Sequence, residues 1–144
     1  MKPVVKGATG VPATIVIAAS CILLILASDS ALSQSPQENA WEILQTGLSD
    51  HNTGNRAAAV SALGLLQDNP QALGLAEKAL GDKKPAVRAA AATALGEMGA
   101  RRSIPLLKET MRDKQGRVAF AAANSLITLG DPAGYEWFYE VLTG

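Results

Sequence analysis

The sequence contains few of the side chains that build catalytic or metal sites. Its 144 residues include one histidine, His51, and one cysteine, Cys21. A metal site would have to be made from carboxylates alone, and the sequence shows no convergent set of them. No serine lies in the turn motif of a hydrolase nucleophile. We therefore predict no catalysis, no cofactor and no metal, and we interpret His51 as a solvated turn residue.

An excess of charge of either sign is also absent. The 13 lysine and arginine side chains balance the 13 aspartate and glutamate side chains. Near neutrality gives no electrostatic basis for binding nucleic acid or another polyanion. Basic residues collect between Arg101 and Arg117, and acidic ones between Asp131 and Glu140. We interpret these as a solvated outer face rather than a surface that attracts an acidic partner.

The first 33 residues have the composition of a targeting segment. Two lysines precede an apolar run, Ile15–Ala27, and Ala31 and Ser33 place small residues where a signal peptidase reads them. This pattern predicts cleavage before Gln34 and export to the periplasm or the extracellular space. The mature chain would then contain no cysteine and form no disulfide.

Two alternatives concern the same segment. An uncleaved membrane anchor over Val11–Ala27 would be shorter than the usual span of about 20 residues, and Pro12 would weaken its first turn. Lipid attachment at Cys21 fits less well, because the most apolar stretch, Ile22–Leu26, follows the cysteine instead of preceding it.

A repeated unit organises the rest of the chain. Three aspartates, Asp50, Asp82 and Asp113, are separated by 32 and 31 residues, and an alanine-rich run follows each of them. Large apolar residues recur at matching positions after these aspartates: Leu63, Leu95 and Leu126, then Leu66, Met98 and Leu129. A fixed period of this size indicates stacked structural units.

Each unit divides into a first helix, a turn and a second helix. The first helices carry apolar residues at i, i+3 and i+7: Trp41, Leu44, Leu48; Leu73, Ala76, Leu80; Ile104, Leu107, Met111; Tyr135, Phe138, Leu142. No run alternates apolar and polar residues over strand length, so we predict an all-α fold. Asn69, Ser103 and Asp131 are predicted helix caps, and Gly99 and Gly130 are predicted helix stops.

The stretches Asp82–Gly96 and Asp113–Gly130 resemble HEAT-like repeats of the phycobilisome-lyase type. Three residues depart from the pattern: Asn55 replaces a valine, Ala119 an arginine and Ile127 a glycine. The resemblance implies a right-handed α-solenoid of antiparallel helix pairs whose second helices line the concave side. A targeting helix over 1–33 would precede the repeats, 34–144. Their units span about 36–68, 69–99 and 100–130, with a half unit at 131–144.

The second helices are expected to form a shallow, mildly apolar groove. Its predicted members lie away from the Leu/Met seam: Ala89, Ala92, Thr93, Phe120, Ala123, Asn124 and Ile127. Phe120 replaces an alanine of the other units, and it is either an anchor for a partner or a filler against the last helix.

The last helix concentrates the aromatic residues. Tyr135, Trp137, Phe138 and Leu142 match inward positions of earlier units, which predicts a lid on the stack. Tyr139 and Val141 match polar positions, so we expect them to be exposed and to dock another molecule or a second copy. The partner-binding candidates are thus Thr93, Phe120, Asn124, Ile127, Trp137, Tyr139 and Val141.

Arg56 and Arg88 each follow a unit's aspartate by six residues. We interpret them as structural partners of that aspartate or of the next one along, rather than as a ladder for an anionic ligand.

These features predict a non-catalytic HEAT-repeat module, exported or membrane-anchored, that mediates protein–protein contact or scaffolding. The family also ranges to bilin lyases and a metal-dependent hydroxylase. The alternatives are therefore a bilin-lyase-like member and a purely structural accessory of an envelope complex. A lyase would require a chromophore in an exported location.

Overall fold

The structure, a computed structural model, describes residues 36–144. The predicted targeting segment, its cleavage site and Cys21 lie outside the described residues. Residues Ala40–Gly144 form one compact unit. Within the described residues, no helix has the length and apolar character needed to cross a membrane.

The described chain is helical throughout and contains no strand, which confirms the all-α prediction. The helices are α1 (Pro36–Leu48), α2 (Thr53–Leu63), α3 (Pro70–Ala79), α4 (Pro85–Glu97), α5 (Ile104–Thr110), α6 (Gly116–Thr128) and α7 (Ala133–Thr143), with a 3-10 turn at Arg101–Ser103 before α5. The first helices of the repeats are α1, α3, α5 and α7, and the second helices are α2, α4 and α6.

Local sequence explains where most of these helices begin and end. The Oδ1 atom of Asn69 accepts hydrogen bonds from the backbone N–H groups of Gln71 and Ala72, both at 3.0 Å, and Pro70 opens α3. After α4 and α6 the chain turns at Gly99 and Gly130, whose φ angles of 68° and 79° favour glycine. The predicted cap at Asn69 and the predicted stops at Gly99 and Gly130 are confirmed. The cap position of α7 is Pro132, one residue after the predicted Asp131.

The prediction that Ser103 caps α5 is wrong. Its hydroxyl makes no capping bond to the helix. It is fully buried and donates to the Glu77 carboxylate on α3 at 2.6 Å. A buried hydroxyl must find an acceptor, and here a charged one from the preceding unit is in reach, so Ser103 joins two repeats instead.

The second helices pack against one another in chain order, α2 on α4 and α4 on α6, and α6 then packs on α7. The repeated leucines Leu63, Leu95 and Leu126 are fully buried in one core cluster. Each such leucine contributes about 1.5–3 kcal/mol by leaving water. The helices α3 and α5 pack on the second helix of their own unit, so Leu95 and Leu126 lie between two layers of helices.

Small residues set the distance between neighbouring second helices. A Cβ atom at Gly96 on α4 would lie 2.7 Å from Oγ and 2.8 Å from Cβ of Ser125 on α6. At the matching point between α2 and α4, a Cβ at Gly64 would lie 3.2 Å from Cα of Ala94. One glycine at each crossing therefore allows the two helix backbones to approach closely.

Two residues of the predicted lid do not face the core. Tyr135 and Leu142 on α7 are 62% and 83% exposed, whereas their counterparts in the third unit, Ile104 and Met111, are partly buried. In α5 a second helix of the same unit covers that face, and within the described residues α7 has no such helix. Trp137 and Phe138 are half-buried, as expected.

Candidate partner-binding groove

An open depression runs across the second helices of all three units. It encloses about 740 Å³, and we call it the second-helix groove. Its lining comes from α2, α4 and α6: Ala57, Ser61, Ala86, Ala89, Ala90, Thr93, Gly116, Arg117, Phe120 and Ala121. Because three units contribute, the groove exists only when the repeats are stacked.

The chemistry of the lining is simple. Most side chains are small, which lets the backbone of a bound segment come close. Arg117 is the one charged residue among them, and Phe120 the one large apolar residue. Such a surface suits a helix or extended segment that brings its own large apolar side chains and a carboxylate.

Phe120 satisfies both alternatives left open by its position in the sequence. Its ring meets the ring of Phe138 on α7 edge to face, with centroids 5.2 Å apart and an interplanar angle of 89°. Phe138 contacts Trp137 in the same manner at 5.1 Å. Phe120 nevertheless remains 54% exposed, so it packs on the last helix and also presents a face to the groove.

Only some of the residues predicted for the groove line it. Ala89, Thr93 and Phe120 line it. Ala92 and Ala123 are fully buried, so their placement in the groove is wrong, because both lie on the faces that pack against neighbouring helices. Ile127 touches α7, where a Cβ at Gly134 would lie 2.8 Å from Ile127 Cγ1. Asn124 is exposed on α6 outside the lining.

Sequence reasoning missed several lining residues, although a signal for them existed. Starting from Ala89 and Thr93, helical spacing of three and four adds Ala86 and Ala90 to one face of α4. The same spacing from Phe120 adds Arg117 on α6. The alanine-rich composition concealed this face, because it gives no contrast between the sides of a helix.

A ladder of arginine–aspartate pairs fixes each unit to the next. The Arg88 guanidinium donates to both carboxylate oxygens of Asp113, at 2.6 Å and 2.9 Å, and to the backbone carbonyl of Asp82 at 2.9 Å. Arg56 makes the equivalent bonds to Asp82, both at 3.2 Å, and to the carbonyl of Asp50 at 2.8 Å. Each arginine thus pairs with the aspartate of the following unit, which confirms the structural interpretation.

The same aspartates hold the turns before the second helices. Asp113 Oδ1 accepts from the backbone N–H of Gln115 at 2.8 Å, and Asp82 Oδ1 accepts from that of Lys84 at 2.7 Å. One carboxylate therefore fixes a turn within its own unit and an arginine from the preceding one.

Hydrogen bonding in the ladder lowers the pKa of its carboxyl groups. The pKa of Asp113 is lowered chiefly by the hydrogen bond from Arg88, and that of Asp82 chiefly by the one from Arg56, while burial opposes both shifts. The pKa of the Arg88 guanidinium is raised chiefly by its hydrogen bond to Asp113. The ladder is thus charged at neutral pH and internally paired.

Two departures from the repeat pattern lie where the ladder ends. In the first unit Asn55 donates to Asp50 Oδ2 at 2.7 Å, the role that an arginine plays for Asp82 and Asp113. In the third unit the arginine position holds Ala119, which is buried. Within the described residues no aspartate of a further unit is present to pair with an arginine there.

A second depression, of about 570 Å³, lies beside the ladder and includes the exposed His51. Its central charged groups, Arg56 and Asp82, are already paired with each other, so we assign it a structural origin. Among residues 36–144, no three or more histidine, cysteine or acidic side chains are grouped as metal ligands.

Comparison with protein families gives a match. Two overlapping segments, 42–127 and 74–143, match HEAT repeats. A search of curated proteins finds no match. The two segments cover most of the chain and coincide with the helix pairs, the leucine core and the ladder described above. The chain belongs to the HEAT-repeat family.

Proposed function

We propose that this protein is a non-catalytic HEAT-repeat module that binds a protein partner in the second-helix groove. HEAT repeats generally mediate protein–protein interaction, which supports the proposal. The observation that carries it is the groove itself, a surface of small side chains contributed by three units, with a half-exposed Phe120 at α6. We further propose that the helix pairs form a right-handed α-solenoid with this groove on its concave side.

The proposed location is outside the cytoplasm. The apolar run Ile15–Ala27 between two lysines and small residues supports export with cleavage before Gln34, or retention as a membrane anchor. The mass of the protein recovered from cells separates the two, because cleavage removes the first 33 residues.

Affinity capture with matched variants tests the binding function. Thr93→Arg places a long cation on the groove lining, and Gln71→Arg makes the same kind of change at an exposed position of α3 outside it. We expect Thr93→Arg to lose the captured partner and Gln71→Arg to keep it. Equal capture by both variants would remove the groove from the mechanism.

The same experiment addresses the other two functions. A chromophore transferred to the captured protein would favour the bilin-lyase-like alternative. A stable envelope complex that forms with Thr93→Arg as well as with the unaltered chain would favour a structural accessory. No observation on the described residues favours either over partner binding.

A further inference from the structure

The last helix exposes an apolar stripe. Tyr135, Tyr139 and Leu142 follow one another at i, i+4 and i+7, so they share one face of α7. Tyr139 is 71% exposed, and the other two are exposed to a similar degree. We call these three residues the tail stripe. An exposed stripe of two aromatic rings and a leucine indicates a surface that another molecule covers.

The charges of α7 and of the second-helix groove are opposite. The ionisable side chains of α7, apart from its tyrosines, are Glu136 and Glu140, and no basic residue accompanies them. In the groove the charged residue is Arg117, which is exposed and forms no ion pair within the described residues. The tail stripe thus carries carboxylates beside its apolar face, and the groove offers a cation beside an apolar floor.

The tail stripe and the groove also belong to neighbouring surfaces. Phe120 lines the groove and packs against Phe138 of α7. Two adjacent patches that are complementary to each other together form a self-complementary surface, which a closed two-fold dimer requires.

We propose that the chain forms a two-fold dimer in which the tail stripe of each copy packs into the second-helix groove of the other. The proposal rests on the proposed function in using the same groove, and it names the occupant as a second copy of this chain. Two aromatic rings and a leucine would fill the space left by the small lining, and Glu136 or Glu140 would face Arg117.

Other pairings of two copies bring like charges together. Two tail stripes packed on each other would place Glu136 and Glu140 of both copies side by side. A head-to-tail stack would bring α7 against α1, whose exposed Glu42 is also acidic. Such a stack could not extend the ladder either, because Asp50 is bonded by Asn55 and the third unit has Ala119 in place of an arginine.

Sedimentation equilibrium of the protein as purified from cells tests the dimer. We expect a dimer that dissociates to monomers in Tyr139→Ser/Leu142→Ser, a change confined to exposed side chains and therefore compatible with an unaltered helical circular dichroism spectrum. Arg117→Glu should weaken the dimer by about 10-fold, since it places a third carboxylate among the glutamates of the partner's α7. Arg112→Glu makes the same change of charge at an exposed position outside the groove, and it should leave the dissociation constant of the dimer unchanged.

A charge exchange makes the test specific. Glu136→Lys/Glu140→Lys should also weaken the dimer, and combining it with Arg117→Glu should restore most of the lost affinity. A monomeric wild-type chain, an open polymer, or a dimer indifferent to these charges would each overturn the proposal. A monomer that still captures another protein in a Thr93-dependent manner would leave the proposed function intact while the dimer fails.

Discussion

The interface between α4 and α6 and the exposed face of α7 use similar residues with opposite results. Leu126 on α6 is fully buried, whereas Leu142 on α7 is almost entirely exposed. Both helices are amphipathic and both leucines occupy a repeat position that is apolar in the earlier units. The difference arises because burial in a repeat array comes from the neighbouring helix, not from the helix that carries the residue.

Three departures from the repeat pattern have the same cause. Asn55, Ala119 and Ile127 occupy positions that contact a neighbouring unit in the interior of the array. Where Gly64 and Gly96 admit the next second helix, Ile127 meets α7 instead, and the small residue is now Gly134 on the other side of the contact. These substitutions fit the neighbour that is present at each point.

The largest expected effect comes from replacing leucine by alanine at the buried site on α6 and at the exposed site on α7. Leu126→Ala removes a fully buried side chain and should lower the free energy of unfolding by about 3 kcal/mol, because a cavity remains in the core. Leu142→Ala should change it by less than about 0.5 kcal/mol. Urea denaturation of the two variants measures the difference. Equal losses would mean that another molecule covers Leu142 in solution. The dimer proposal predicts this only at protein concentrations above the dissociation constant of the dimer.

The close helix crossing gives the next largest effect. Gly96→Ala should destabilise the protein by about 2 kcal/mol, because the new methyl group would overlap Ser125, whose hydroxyl is held at 2.8 Å by the carbonyl of Ala92. Thermal unfolding monitored by circular dichroism would show the loss.

Gly74→Ala is the matched control for the crossing. Gly74 lies within α3, and no atom is found within 4 Å of a Cβ built there. Alanine should therefore stabilise the protein by about 0.5–1 kcal/mol through its better helix propensity. A stabilising Gly96→Ala would show that α4 and α6 can move apart without cost.

Sequence periodicity was sufficient to predict the helix pairs, the leucine core and the glycine stops, because these depend on spacing within one unit. It failed for Tyr135 and Leu142, whose environment depends on which helix follows. It failed also for Ala92 and Ala123, because alanine gives the same signal in a groove and in a tight helix contact. The hydrogen bond from Ser103 to Glu77 was not visible, since it joins residues in different units without a repeated motif.

A smaller effect is expected from breaking ion pairs, one partly buried in the ladder and one exposed outside it. Arg88→Ala should cost about 1.5 kcal/mol, because it removes three hydrogen bonds and leaves the partly buried carboxylate of Asp113 without its cation. Arg102→Ala breaks an exposed pair with Glu77, at 3.4 Å, and should cost less than about 0.5 kcal/mol. Urea titration of both variants in low and high salt would rank them. If Arg88→Ala abolished partner capture while stability was unchanged, the ladder would be a binding site instead of a structural link.

The smallest expected effect is on acid stability. The pKa of Asp113 is lowered in the folded protein from an ordinary value of 3.8. Its ionised form therefore stabilises the fold above the unfolded-state pKa, and this contribution disappears as the pH falls through the folded-state pKa. Asp113→Asn cannot ionise, so its free energy of unfolding should decline less than that of the wild type between about pH 6 and about pH 3.

Asp131 at the other end of the array provides the comparison. Its pKa is lowered chiefly by the hydrogen bond from Lys108, whose side chain is exposed to solvent. Salt screens a pair with an exposed cation more effectively than the Arg88–Asp113 pair, in which both side chains are largely covered. At about 1 M salt, Asp131→Asn should therefore hardly change the decline in the free energy of unfolding as the pH falls. Asp113→Asn should still reduce that decline. Equal screening of the two would mean that the Arg88–Asp113 pair is as open to water as the pairs at the periphery. That result would contradict the interpretation that the ladder holds the units in register.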